Sequence, residues 1–156
     1  MLLNCSINGI KRTLLIEPHE YLTETLRKAG FTSVKRGCDT GVCGLCTVLA
    51  NGKPILSCST LSIRCEGKFI ETIEAYGEKA EKFSKFMGEE GADQCGFCSP
   101  GFTLTVIGML KELENPTDNE ILHYLNGTLC RCTGYASQLR AIKKFMESEK
   151  NNENRF

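Results

Sequence analysis

The chain has 156 residues, room for one domain or two small ones. Nineteen basic side chains balance nineteen acidic ones, with nine against seven in residues 1–76 and ten against twelve in 77–156. That balance excludes a nucleic-acid binder, which would carry a basic surplus, and a hydrophobic fraction of 41% excludes wholesale disorder.

The opening MLLNCSINGIKRTLL has no basic n-region and no small-residue cleavage site, so a cytoplasmic protein without a secretory signal is expected. Leu3, Cys5 and Ile7 alternate with Asn4 and Ser6 as in a strand. Asn8-Gly9 is a hairpin turn, and residues 12–16 return as a second strand. Residues 20–29 read as a helix, with Leu22, Leu26 and Ala29 on one face and Gly30 as its stop. Residues 46–50 form a strand, Asn51-Gly52 a second turn and 55–58 the return. Residues 68–72 are expected to add an edge strand. Two hairpins with a helix between them suggest a β-grasp arrangement.

Beyond residues 75–78 the pattern turns helical. Ala80, Phe83 and Met87 form a stripe over 78–90. Ser99-Pro100 is a helix start, with serine expected as N-cap and proline at the first helical position. The helix that follows is apolar nearly all round, so it is expected at the centre of a bundle. Its weakly polar run, 101–110, is too short to span a bilayer. Thr117-Asp118-Asn119-Glu120 is a capping box opening a helix to Leu125. Tyr135, Leu139, Ile142 and Met146 mark a final amphipathic helix, and the polar tail 151–156 is expected to fray. The expected fold is therefore α+β: a β-grasp domain over 1–76 and a helical bundle over 77–156.

Ten of the residues are cysteines, several times an ordinary share. Disulfide staples suit secreted domains too small for a core, and this chain has no signal and does not need them. Structural zinc and iron–sulfur clusters both take four thiolates. Cys38, Cys43 and Cys46 read C-x4-C-x2-C, the plant-type ferredoxin run, and Cys58 follows after eleven residues. The second group is Cys95-x2-Cys98 and Cys130-x1-Cys132, and a C-x-C pair is uncommon among zinc knuckles. Eight cysteines thus form two groups of four. Gly37, Gly41 and Gly44 let the loop of the first group take positive φ and turn its N–H groups toward a cluster. Cys5 reads as a packed thiol and Cys65 as a loop thiol. His19 and His123 read as ordinary helix-flank residues. No P-loop, nucleophile elbow or dinucleotide fingerprint is present, and no side chain is cast as an acid or base, so the chain is not expected to be catalytic alone.

The strings RGCDTGVCGLCTV, then Cys58, QCGFCSPG and LCRCTGY, in that order, resemble the iron–sulfur subunit of the molybdenum hydroxylases, relatives of xanthine dehydrogenase and aldehyde oxidoreductase. The resemblance runs from about Leu2 to Met146. One departure is Thr128, where the family more often has asparagine. The resemblance implies two [2Fe–2S] clusters, an outer one on Cys38, Cys43, Cys46 and Cys58 and an inner one on Cys95, Cys98, Cys130 and Cys132. It implies that Gln94 contacts a molybdopterin held by a large partner subunit, and that Cys132 is the ligand nearest that pterin. The outer cluster would face FAD on a further subunit, within a hetero-oligomer or a dimer of heteromers.

The implied role is an electron wire from molybdenum to flavin, serving the hydroxylation of an N-heterocycle such as nicotinate or a purine. An aldehyde or carbon monoxide as substrate is the alternative. A free-standing ferredoxin-like carrier and a zinc-stabilised interaction module are readings from other classes. Arg131, between two ligands, is either a cation favouring the reduced cluster or an arginine facing solvent or a partner.

Overall fold

The computed structural model describes residues 1–153. It holds a mixed five-stranded sheet and five α-helices, an α+β fold as expected. Strand β1 (Leu2–Ile7) turns back into β2 (Ile10–Leu15) through Asn8 and Gly9, both at positive φ, as a two-residue hairpin requires. Strand β3 (Thr47–Ala50) turns into β4 (Lys53–Leu56) through Asn51 and Gly52 in the same way. Strand β5 (Phe69–Glu71) is the correction. It is not at an edge but at the centre of the order β2-β1-β5-β3-β4, parallel to β1 and antiparallel to β3. Its short polar-flanked sequence hides this, because its partners lie about sixty and twenty residues away.

Helix α1 (Leu22–Lys28) is shorter than the reading of 20–29, since Tyr21 is extended and bridges Leu61. It buries Leu22 and Leu26 against Leu3, Ile7, Val48 and Ile70. Burying each such side chain is worth roughly 1.5–3 kcal/mol. After β4 the chain enters a short 3-10 turn, Ser57–Ser59, so Cys58 sits on a turn and not on the returning strand. A second 3-10 turn, Ser62–Cys65, puts Cys65 in the sheet's core, 1% exposed and in one cluster with Cys5, so it is not a loop thiol.

A third 3-10 turn, Ile73–Tyr76, leads into α2 (Gly77–Glu89), followed by α3 (Ser99–Glu112), α4 (Asp118–Leu125) and α5 (Ala136–Glu153). Phe83 of α2 packs edge-on against Phe145 of α5 at 5.2 Å between centroids, with Phe102 of α3 beside it. The capping box at Thr117 and Glu120 opens α4 as read from the sequence. At α3 the N-cap is Cys98, and Ser99 is already helical with its hydroxyl turned toward Asp93 at 3.4 Å. The polar residues 151–153 continue α5 instead of fraying, and 154–156 lie outside the described residues.

Helix α3 joins the two halves. Its Phe102, Val106 and Met109 belong to the helical core, while Leu104 and Ile107 pack on Leu49 of β3. A helix with both faces covered must be apolar all round, which is what its sequence shows. Among the described residues no helix is long and apolar enough to cross a membrane.

Candidate metal centres

The first site is built by the irregular loop between α1 and β3. Gly41 and Gly44 take positive φ there (70° and 72°). Gly37 does not; a Cβ there would lie 2.8 Å from the end of the Leu45 side chain, which would have to shift. In the folded loop the backbone N–H groups of Cys43, Thr40 and Val42 donate to the Cys38 sulfur, along with the Cys43 thiol. Led by the Cys43 thiol, these donors lower the Cys38 pKa to about 6. Burial pushes its partner Cys43 upward. Such convergence of donors on sulfur is the environment in which a thiolate, the metal-binding form, is stable.

Cys46 lies within the buried run 43–50 that leads into β3, and burial pushes it up to about 11. Its neighbouring thiol is Cys58. Two features bring that distant cysteine back. The β3–β4 hairpin returns the chain alongside β3, and the Ser57 hydroxyl then donates to the Cys46 carbonyl at 2.7 Å. A buried hydroxyl ladder holds this segment to α1: Thr23 with Ser57 at 2.5 Å, and Thr25 with Ser62 at 2.7 Å. Cys38 and Cys58 line one open cleft of about 340 Å³, with Arg36 and Asp39 paired at 2.9 Å on its rim.

The second site lies between two loops. Cys95 and Cys98 precede and cap α3; Cys130 and Cys132 lie in the loop before α5. Cys132 Sγ donates to Cys95 Sγ at 3.6 Å. Cys98 and Cys130 lie beside each other. Burial, reinforced by that neighbour, pushes Cys98 up to about 12. On Cys130 burial acts upward too, but the Thr133 hydroxyl, the N–H groups of Cys132 and Thr133 and the Cys98 thiol outweigh it, so its pKa falls. Cys98 is buried, whereas Cys95 and Cys132 are exposed.

Each of the eight cysteines thus has another as a near neighbour: 38 and 43, 46 and 58, 95 and 132, 98 and 130, with the sulfurs of 95 and 132 in direct hydrogen-bond contact. Among the described residues no three His, Cys, Asp or Glu side chains are arranged to hold one metal ion. Pairing in twos suits a two-iron cluster, where each iron takes two protein ligands, better than one tetrahedral zinc. The two sites also touch. Cys43, Leu45 and Cys98 form one buried apolar cluster, with Cys38 and Cys130 packed on it. Backbone seals the contact. Leu129 N–H donates to the Cys43 carbonyl at 2.8 Å, and a Cβ on Gly101 would lie 2.8 Å from the carbonyl oxygens of both Gly44 and Leu45.

The remaining candidates separate from these sites. Gln94 is exposed beside Cys95, its amide 3.5 Å from the Gly91 carbonyl. Arg131, His19 and His123 are exposed. Cys5 and Cys65 sit in the sheet core. Thr128 is buried and lies 3.5 Å from Thr105 across the loop–α3 contact. Sequence reasoning missed Thr133 and Tyr135, which hydrogen-bond to Cys130. The only signal was their position directly after the C-x-C pair.

Residues 7–83 match the family model of the 2Fe-2S iron-sulfur cluster binding domain, and residues 72–143 that of the [2Fe-2S] binding domain. The chain is 40% identical over 148 residues to the nicotinate dehydrogenase small FeS subunit of Eubacterium barkeri, spanning 93% of this chain and 94% of that one. It is 46% identical over 137 residues to the xanthine dehydrogenase iron-sulfur-binding subunit of Escherichia coli O157:H7, spanning 85% and 86%. Among solved structures, the crystal structure of quinoline 2-oxidoreductase from Pseudomonas putida 86 matches with a TM-score of 0.88 at 38% identity, covering 97% of this chain and 96% of that one.

Proposed function

The chain belongs to the iron–sulfur subunits of the molybdenum hydroxylases, parts of multisubunit oxidoreductases with an electron-transfer role, and from that premise we propose that it passes electrons from a molybdopterin-bearing subunit to an FAD-bearing one. Cys38, Cys43, Cys46 and Cys58 hold the outer [2Fe–2S] cluster, and Cys95, Cys98, Cys130 and Cys132 the inner one. When bound, each cluster accepts and releases one electron at a time. The observation that carries this reading is the shared apolar layer of Cys43, Leu45 and Cys98, flanked by Cys38 and Cys130. It excludes water between the two sites and fixes their spacing through backbone contacts instead of flexible side chains.

The two ends of the path face outward in different ways. At the inner site Cys95 and Cys132 are exposed, beside Gln94, which supports this end as the pterin side, with Cys132 nearest the pterin and Gln94 in contact with it. At the outer site the cleft reaching Cys38 and Cys58 supports docking of the flavin subunit. The division into a plant-ferredoxin-like β-grasp domain, 1–76, and a four-helix domain, 77–156, is supported by the sheet gripping α1 and by the four helices that follow. Eight cysteines given over to iron ligation instead of disulfides fit a reducing, cytoplasmic setting.

The substrate pocket lies on another chain. An N-heterocycle such as nicotinate or a purine is favoured over an aldehyde or carbon monoxide, because the relatives named above are nicotinate and xanthine dehydrogenases and a quinoline oxidoreductase. A free-standing carrier is not favoured, since the curated relatives named above are subunits. Tagged chain isolated from its native cells should bring down two larger chains carrying molybdenum and flavin, in a hetero-oligomer or a dimer of heteromers. Recovery of the chain alone, fully loaded with iron, would contradict the subunit role.

A further inference from the structure

The loop after the inner C-x-C pair closes on itself. Thr133 Oγ1 lies 3.3 Å from Cys130 Sγ. The Tyr135 N–H donates to that same oxygen at 3.3 Å, and the Cys130 N–H donates to the Tyr135 phenol oxygen at 2.9 Å. Tyr135 adopts a φ of 70°, a left-handed conformation uncommon for an aromatic residue; it is the conformation in which its N–H and its phenol both point back into the loop. A hydroxyl has one hydrogen. With its oxygen accepting from Tyr135, the Thr133 hydrogen is directed at the Cys130 sulfur. The Cys130 N–H is meanwhile occupied by the phenol and cannot serve a sulfur itself. The Thr133 hydroxyl acts at the Cys130 sulfur beside the N–H groups of Cys132 and Thr133 and the Cys98 thiol.

We propose that Thr133 is a positioning residue that raises the reduction potential of the inner site through its hydrogen bond to the Cys130 sulfur. The inference rests on the assignment of Cys130 as a cluster ligand. An electron arriving at this site increases negative charge on the ligand sulfurs, and a hydrogen bond to a charged acceptor is stronger than to a less charged one. No proton is transferred; the hydrogen stays on Thr133 Oγ1. The bond therefore favours the reduced state, and its loss lowers the potential.

The test is potentiometric reduction of the full, cluster-loaded chain by dithionite through mediators, followed by EPR. Thr133→Val keeps shape and removes the donor. At the wild-type midpoint of the inner signal, its reduced-to-oxidised ratio should fall about tenfold, equivalent to about 59 mV for one electron. The outer signal should not move, and Thr133→Ser should return the ratio to within about twofold of wild type. An unmoved ratio in Thr133→Val, an equal shift of both signals, or a Ser variant as low as the Val variant would overturn the proposal. Should the Val variant fail to load clusters, Thr133→Ala removes the hydroxyl without added bulk, and a wild-type ratio there overturns it equally. Wild-type chain with no cluster signals would sink the ligand assignment and this inference together. Two signals with unmoved potentials would sink this inference alone.

Discussion

Glu20 is almost wholly buried, yet it is built to stay charged. Burial alone would raise its pKa, but donation from Lys28, from the Thr25 hydroxyl and from the Glu17 N–H outweighs burial and lowers it. Its backbone carbonyl meanwhile accepts from the Ser62 N–H at 2.9 Å, so this residue ties α1 to the segment that presents Cys58. A carboxyl held below its unfolded value stabilises the fold at neutral pH and gives that stability up as the pH falls through its folded value. Glu20→Gln should therefore cost about 1–3 kcal/mol at pH 7, the worth of hydrogen bonds to a charged group. The gap from wild type should narrow progressively below pH 4.5, the ordinary glutamate value. Urea unfolding across pH 3–7 reads this directly, and a gap that stays constant with pH would assign Glu20 a packing role only.

At the scale of elements, the decisive contact is α3 against the first cysteine loop. Alanine is the better helix former than glycine by about 1 kcal/mol, so in an open helix Gly101→Ala would stabilise. Here the added Cβ meets two backbone oxygens at 2.8 Å, neither of which is a flexible side-chain tip. Overpacking of this kind costs about 1–3 kcal/mol, and the clash wins. Thermal unfolding of Gly101→Ala should show a lower Tm, and an unchanged or higher Tm would mean that the loop is free to move away. This contact also marks where sequence reading stops. The hairpins, the capping box and the cysteine spacings were legible because each is a local rule: a left-handed Asn-Gly pair, a side chain reaching three residues on, ligands on one loop. The place of β5 was not legible, since sheet order depends on pairing across some sixty residues of chain. The N-cap at Cys98 was displaced from Ser99 because Ser99 turns its hydroxyl toward Asp93 and Cys98 is drawn into the site. The burial of Cys65 followed from a 3-10 turn that folds back onto the sheet. Spacing suggests the two groups of four cysteines; that Cys43 and Cys98 meet at Leu45 could not be read from it, because the backbone contacts there run through Gly101 against Gly44 and Gly44 against the Gly127 carbonyl, and none of the three has a side chain to signal the meeting.

At the scale of the whole molecule, α3 serves the helical core on one side and the sheet on the other, so the two halves hold the two cysteine sites at a fixed separation. The central claim is that these sites hold two [2Fe–2S] clusters in series. The measurement that tests it most directly is iron, acid-labile sulfide and zinc per chain in anaerobically purified protein, with EPR of the dithionite-reduced sample. The expected result is about four irons and four sulfides, with two distinguishable [2Fe–2S] signals. About two zincs per chain with no sulfide and no signal would contradict it and leave a structural zinc protein in its place.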